Sequence, residues 1–371
     1  SKEIIKKEKE FIVPAYDKKS IVIVEGKDTI VLPEGTYTIS IGGAGEDAAA
    51  TGDLDVTDEL VLIGSGPRHT VIDGAALDRV LEVRPSGALD LSRVTVRNGH
   101  VSGSGGGILA YGPLTMTACA VIDNSTAGFG FGGGIASEPA TGFLQVIRST
   151  VAGNSADGGG GGILVSGVAV LKEVTISGNQ SVSDFGGGVY LFSDSSMELV
   201  GGTVVGNSSD LGGGLLAEAG STFSVSNTIV ALNSAPARPD CSGTYTSLGH
   251  NLVGDGSSCF GFGALGDLIG DSASRINPHL ASLKPQGGET DTHRPLPGSP
   301  VIDAGSSAAP DSGGGSCSPT DQRLAPRPID GGGAAGAICD IGAHEAGAIF
   351  VESFETADTN RWSETSQDPP G

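Results

Sequence analysis

Basic side chains are scarce in this sequence, and aromatic ones scarcer still. Lys and Arg total 21 against 43 Asp and Glu, a net charge of −22, and Phe, Tyr and Trp make up 5% of the 371 residues. So acidic a chain lacks the basic footprint that nucleic-acid binding needs. Charge alone would not hold it on an anionic lipid surface either. No run approaches the ~18 consecutive apolar residues of a membrane-spanning helix. The opening stretch Ser1-Lys2-Glu3-Ile4-Ile5-Lys6-Lys7 has no apolar segment of a secretory leader and reads as the start of a mature or trimmed chain. CxxC pairs and histidine clusters are missing, so no zinc site is expected. No GxSxG string marks a hydrolase nucleophile.

What is plentiful is glycine, with 62 residues. It carries no collagen period, and many Val, Ile and Leu accompany it. That mixture points to short strands joined by tight turns and away from a disordered chain.

Internal repeats set the fold. A glycine triplet followed by an aliphatic residue occurs five times, at Gly105-Gly106-Gly107-Ile108, Gly132-Gly133-Gly134-Ile135, Gly160-Gly161-Gly162-Ile163, Gly186-Gly187-Gly188-Val189 and Gly212-Gly213-Gly214-Leu215. The spacings are 27, 28, 26 and 26 residues. An asparagine series, Asn98, Asn124, Asn154, Asn179, Asn207 and Asn233, runs between them at 26, 30, 25, 28 and 26. Three residues before each asparagine stands Val121, Val151, Ile176, Val204 or Val230, with Thr95 the polar exception. The intervening β-branched runs, such as Val174-Thr175-Ile176, are too short for helices and alternate as strands do. A period near 26 holds about three short strands and three turns, one coil of a right-handed parallel β-helix stacked at about 4.8 Å on the next.

Upstream runs such as Thr29-Ile30-Val31-Leu32 and Leu60-Val61-Leu62-Ile63 read as further coils. Residues 28–236 are therefore expected to form roughly eight coils. The asparagines read as a structural ladder of stacked amides at a turn that tolerates positive φ. The glycine triplets read as backbone fits at a crowded corner and not as a phosphate loop.

Four of the five cysteines bracket Gly/Ser/Pro-rich loops in two pairs, Cys241 with Cys259 and Cys317 with Cys339. Two disulfides and an oxidising compartment follow. Cys119 lies in an apolar run and reads as a small core residue.

Asp157, Asp184 and Asp210 each precede a glycine run. Stacked coils would bring these carboxylates onto one face, where they are either solvated turn residues or a weak Ca²⁺ site. Lys172, Arg148 and Arg97 are the basic side chains near the repeats.

The chain resembles bacterial secreted β-helix proteins. Its opening coil, Asp28-Thr29-Ile30-Val31-Leu32-Pro33-Glu34-Gly35-Thr36-Tyr37, and its glycine-asparagine repeat are similar to those of polymorphic outer membrane proteins and of the pectate-lyase-like superfamily. The segments Asp240-Cys241-Ser242-Gly243, Gly298-Ser299-Pro300-Val301-Ile302-Asp303-Ala304-Gly305, Asp321-Gln322-Arg323 and Cys339-Asp340-Ile341-Gly342-Ala343-His344-Glu345 resemble the choice-of-anchor Q domain. In all the resemblance covers residues 28–349. It implies export to the bacterial exterior or cell surface. It places His250 and His344 inside structural motifs, and residues 237–349 in a loop-rich C-terminal cap. Asp303, Asp321, Arg323, Arg327 and Asp340 would tie that cap over the last coil. Residues 350–371 look like a tail of exported proteins.

Two departures matter. The adjacent Asp-Asp pair, the Gly-His-Gly and the Arg-x-Lys that the resemblance implies for a pectin-type hydrolase are missing. So is the family's usual opening motif. Seven of the nine lysines lie in residues 1–27, a segment of different style, which reads as an N-terminal cap, either native or grafted or designed.

The function expected from all this is a monomeric structural or adhesive exoprotein whose partners are polysaccharides or cell-surface glycans, with no catalytic residue named. The alternatives are a polysaccharide lyase or glycosidase with an unrecognised site, and an engineered scaffold whose task is to fold.

Overall fold

The computed structural model describes residues 22–24, 29–43, 52–138, 143–182, 185–330 and 337–347. Among them the chain is all-β and winds as a parallel solenoid. One coil shows the scheme. Val168–Lys172 lies in a first sheet, Thr175–Ser177 in a second, Gln180–Ser181 in a short fourth, and Val189–Leu191 in a third; Ser196–Val200 then returns to the first. The first and second sheets each hold 10 strands, the third 9 and the short one 4. Neighbours in a sheet come from consecutive coils and run parallel, as in Val168↔Ser196 and Thr175↔Thr203.

Alternation along each strand fills the lumen with aliphatics. The second sheet sends in Val96, Val121, Val151, Ile176, Val204 and Val230, and the third sends in Ile108, Ile135, Ile163, Val189 and Leu215, all essentially inaccessible. Each stack is one residue wide, so no coil buries its own apolar face. Stability is a neighbour-to-neighbour property.

The solenoid runs beyond residue 236, where the repeat markers fade. Cys241–Thr244, Thr246–Gly249, Leu252–Val253, Cys259–Phe260 and Leu268–Ile269 extend the three long sheets. At the other end Val22–Val24 pairs antiparallel with Thr29–Leu32 on the edge of the first sheet. The rest of the segment expected to cap that end, and the tail 350–371, lie outside the described residues.

After Ile269 the chain turns back along the outer face of the second sheet. The Arg68 guanidinium donates to the Gly288 carbonyl at 2.6 Å, and Thr150 Oγ1 to the Asp291 carbonyl at 2.7 Å. Ala343 N donates to Thr203 Oγ1 at 3.0 Å, and Gly342 N to the Asn227 carbonyl at 2.8 Å. Val301 and Ile341 pack on Val205, Ile229, Ala231 and Leu252. The C-terminal region is therefore a strap along one flank, where the sequence suggested a cap over the last coil. The outward threonines and aliphatics of the second sheet are what it docks on.

Candidate functional site

The asparagine series forms a continuous buried ladder from Asn124 to Asn233. Asn179 is representative. Its Oδ1 accepts from Asn154 N at 3.0 Å and from Asn154 Nδ2 at 2.9 Å. Its Nδ2 donates to Asn207 Oδ1 at 2.9 Å and to the Val151 carbonyl at 3.0 Å. The ladder ends on Asp240, whose Oδ1 receives Asn233 N and Nδ2, both at 3.0 Å, while its Oδ2 receives Asp255 N at 2.7 Å. A carboxylate suits that end because it offers two acceptors, although burial raises its pKa.

Asn98 is not part of the ladder. Val96 pairs with Val121, which puts Asn98 level with Asp123 and Gly99 level with Asn124. Gly99 N donates to Asn124 Oδ1 at 2.9 Å, whereas Asn98 has φ 54 and binds Asp73. The polar Thr95 three residues upstream was the sign of this one-residue offset.

The glycine triplets back the same corner. Gly160 has φ 70, and a Cβ on Gly162 would stand 2.6 Å from the Gly188 carbonyl oxygen and 3.1 Å from the Asn179 amide carbon. These marker residues are thus used in stacking one coil on the next.

Both disulfides are present, Cys241–Cys259 and Cys317–Cys339. The first joins paired strands at the end of the third sheet, and the second closes a loop of the strap. Cys119 is free and wholly buried, and burial pushes its thiol up to about 12.

The acidic column takes a different form. Ser155 pairs with Gln180 and Gln180 with Ser208, which sets Asp157 level with Val182, and Val182 with Asp210. The two carboxylates stand two coils apart, about 10 Å by coil spacing. Asp157 Oδ2 accepts from Gly128 N at 2.9 Å. Asp184 lies outside the described residues. Among the described residues no group of three or more His, Cys, Asp or Glu is placed to hold a metal ion. Lys172 and Arg148 sit where the chain leaves the first sheet, and Arg97 is paired with Asp73 at 2.8 Å.

The charged C-terminal set is a buried ion network that locks the strap. Arg327 contacts Glu173 at 3.0 Å and Glu345 at 3.1 Å; Arg323 contacts Asp321 at 2.8 Å. Asp303 N donates to Asp340 Oδ1 at 2.8 Å. Burial pushes Glu173 up to about 8 and Asp340, with Glu345 beside it, up to about 7. His250 Nδ1 bonds the Ala304 carbonyl at 3.2 Å, and His344 Nδ1 bonds Thr292 Oγ1 at 2.9 Å.

Away from the strap, the outer face of the third sheet carries a second apolar cluster, itself buried beneath Tyr111, Phe131 and Leu211. Leu109, Ala136, Leu164, Tyr190 and Leu216 align there coil by coil. Tyr190 is the hub of an aromatic cluster, its ring centroid 6.2 Å from Phe131, 6.1 Å from Phe185 and 5.9 Å from Phe192. Phe185 and Phe192 remain 38% and 43% exposed, an unusual state for rings of that size. Beside them a groove of about 520 Å³ is lined by Phe131, Glu138, Leu164, Ser166, Phe192 and Ser195.

Three carboxylates, Glu138, Asp194 and Glu218, flank this face. The Tyr190 hydroxyl donates to Glu218, which also receives Ser193 N at 3.1 Å. Glu138 has no ion pair or hydrogen bond to its carboxylate among the described residues, and partial burial raises its pKa. Sequence reasoning passed over this cluster. The available signal was that Phe131 and Phe185 each stand immediately before a glycine triplet in a chain poor in aromatics.

A family model for a right-handed β-helix region matches residues 82–204, the coils that carry this face. Neither a search of curated proteins nor one of solved structures returned a match.

Proposed function

We propose that this right-handed parallel β-helix is a monomeric exoprotein of the bacterial exterior or cell surface that adheres to carbohydrate through the aromatic groove beside its third sheet, without cleaving it. The observation that carries the reading is the pair of exposed rings, Phe185 and Phe192, packed on the buried Tyr190 beside the groove. Aromatic rings beside a shallow groove with a few polar groups suit contact with flat sugar faces. Two disulfides and a net charge of −22 fit an oxidising exterior. Contact without turnover is favoured because the Asp-Asp pair, the Gly-His-Gly and the Arg-x-Lys of a pectin-type hydrolase are missing from the sequence.

The test is retention on insoluble cellulose, xylan, chitin, chitosan and pectate, with and without Ca²⁺, alongside assays for new reducing ends and unsaturated products. The reading expects retention on at least one polymer, lost at least tenfold in Phe185→Ala/Phe192→Ala, with no products. Products from any polymer would establish the alternative, a lyase or glycosidase. Retention untouched by the double variant would remove the third-sheet face from the account.

A further inference from the structure

Glu138 follows the strand Ile135–Ser137, its backbone held by a 2.9 Å bond from its N to the Ala110 carbonyl. Its carboxylate is half-buried at the groove and has no partner among the described residues. Three other carboxylates on this side of the solenoid are engaged. Glu82 binds both Arg79 and Arg84, Asp53 binds Arg79 at 2.7 Å, and Glu218 binds Tyr190. A carboxylate drawn partly out of water without a counter-charge is unfavourable, and a cation supplied from outside would relieve it.

The rest of the groove narrows the cation's chemistry. The rings of Phe131 and Phe192 line it and offer apolar and π surface to a cation or to the flat face of a sugar. Ser166 and Ser193 line it with hydroxyls, and Asp194 adds another acid. With Glu138, Asp194 and Glu218 on one face of a chain of charge −22, a uronate polymer is repelled. We infer that the groove binds an amino-sugar polymer with free, protonated amines, the sugar rings lying on the aromatic cluster and an ammonium group meeting the carboxylate of Glu138. This rests on the adhesive reading and supplies its ligand class.

The experiment is calorimetric titration of the full chain, at about pH 6, where the amine is charged and an ordinary carboxyl is ionised. Three soluble hexasaccharides are compared: β-1,4-linked glucosamine, its N-acetylated counterpart and galacturonate. Each is run at low salt and at about 0.5 M salt, which screens the chain's overall charge. The expected result is that the free-amine oligomer binds at least tenfold more tightly than the N-acetylated one at both salt levels, and that galacturonate does not bind. Glu138→Gln, which keeps the shape and removes the charge, should abolish that preference. Phe192→Ala should weaken both by about tenfold. Equal binding of the first two oligomers, weakened by Phe192→Ala, overturns the inference and leaves the adhesive reading standing. A preference that survives in Glu138→Gln also overturns it. Failure of all three oligomers and of the polymer panel to bind removes both.

Discussion

A single ladder asparagine ties its coil to the one before and the one after through four side-chain hydrogen bonds. Asn179→Ala removes all four and leaves Asn154 N and the Val151 carbonyl short of a partner in a dry corner, while Asn207 Oδ1 keeps the bond from the backbone N of residue 179. At about 1–3 kcal/mol for each buried polar group left unpaired, a loss of at least about 2 kcal/mol is expected in urea unfolding. Asn98→Gly, at a position with φ 54 outside the ladder, should cost less than about 1 kcal/mol. Equal losses would mean that Asn98 belongs to the column after all. The same contrast holds for glycine. Gly162→Ala meets backbone at 2.6 Å and should destabilise more than Gly178→Ala, which has φ 65 but open space around it. These corner residues were legible in the sequence because a coil repeats its local geometry, so the same side chain returns at the same turn. The slip at Asn98 arose because spacing alone does not show which strand residue a turn counts from.

At the scale of elements, the strap is the part the sequence concealed. Its contacts join residues more than a hundred positions apart, such as Thr175 Oγ1 to Gln322 Oε1 at 2.7 Å, and no periodicity reports them. The charged set Asp321, Arg323, Arg327 and Asp340 was recognised as an ion network, but which surface it locks onto was not readable from composition. Arg327→Ala would leave Glu173 and Glu345 buried without their cation, a loss of about 3–5 kcal/mol. We expect it to fall on the strap. Amide exchange at Gly342 and Ala343 should quicken by at least a hundredfold, with the Asn179 amide unchanged. Quickening spread evenly over both would mean that strap and solenoid unfold together.

His344 gives the strap a pH signature. Burial, with Arg323, Arg327 and Arg294 nearby, pushes its pKa from 6.5 down to about 2. Below about pH 6.5 the unfolded chain takes up a proton that the folded chain refuses, so this residue's contribution declines as pH falls from 6.5 towards 2. The slope is about 1.4 kcal/mol per pH unit. Asp340 acts with the opposite sign. Held up to about 7, it favours the folded chain below the ordinary carboxylate range and loses that contribution as pH rises towards 7. The stability difference between the parent and His344→Asn should therefore shrink on acidification below pH 6.5 at about that slope. A difference independent of pH would show that His344 is charged when folded.

For the whole molecule, the sheets divide the work. The first and third sheets stack the coils together with the second, the second also seats the strap, and the third carries the aromatic cluster and groove beside it. The coil architecture was legible from two markers with one period. The aromatic cluster was not, because Phe131 comes from a different coil from Phe185, Tyr190 and Phe192 and meets Tyr190 only when the coils stack. The most direct test of this division is hydrogen exchange of the full chain, with and without a saturating amount of the tightest-binding oligosaccharide. Protection confined to residues 131–138, 164–167 and 190–195 is the result the account predicts. Protection on the strap and the second sheet, with the third-sheet turns unchanged, would contradict it.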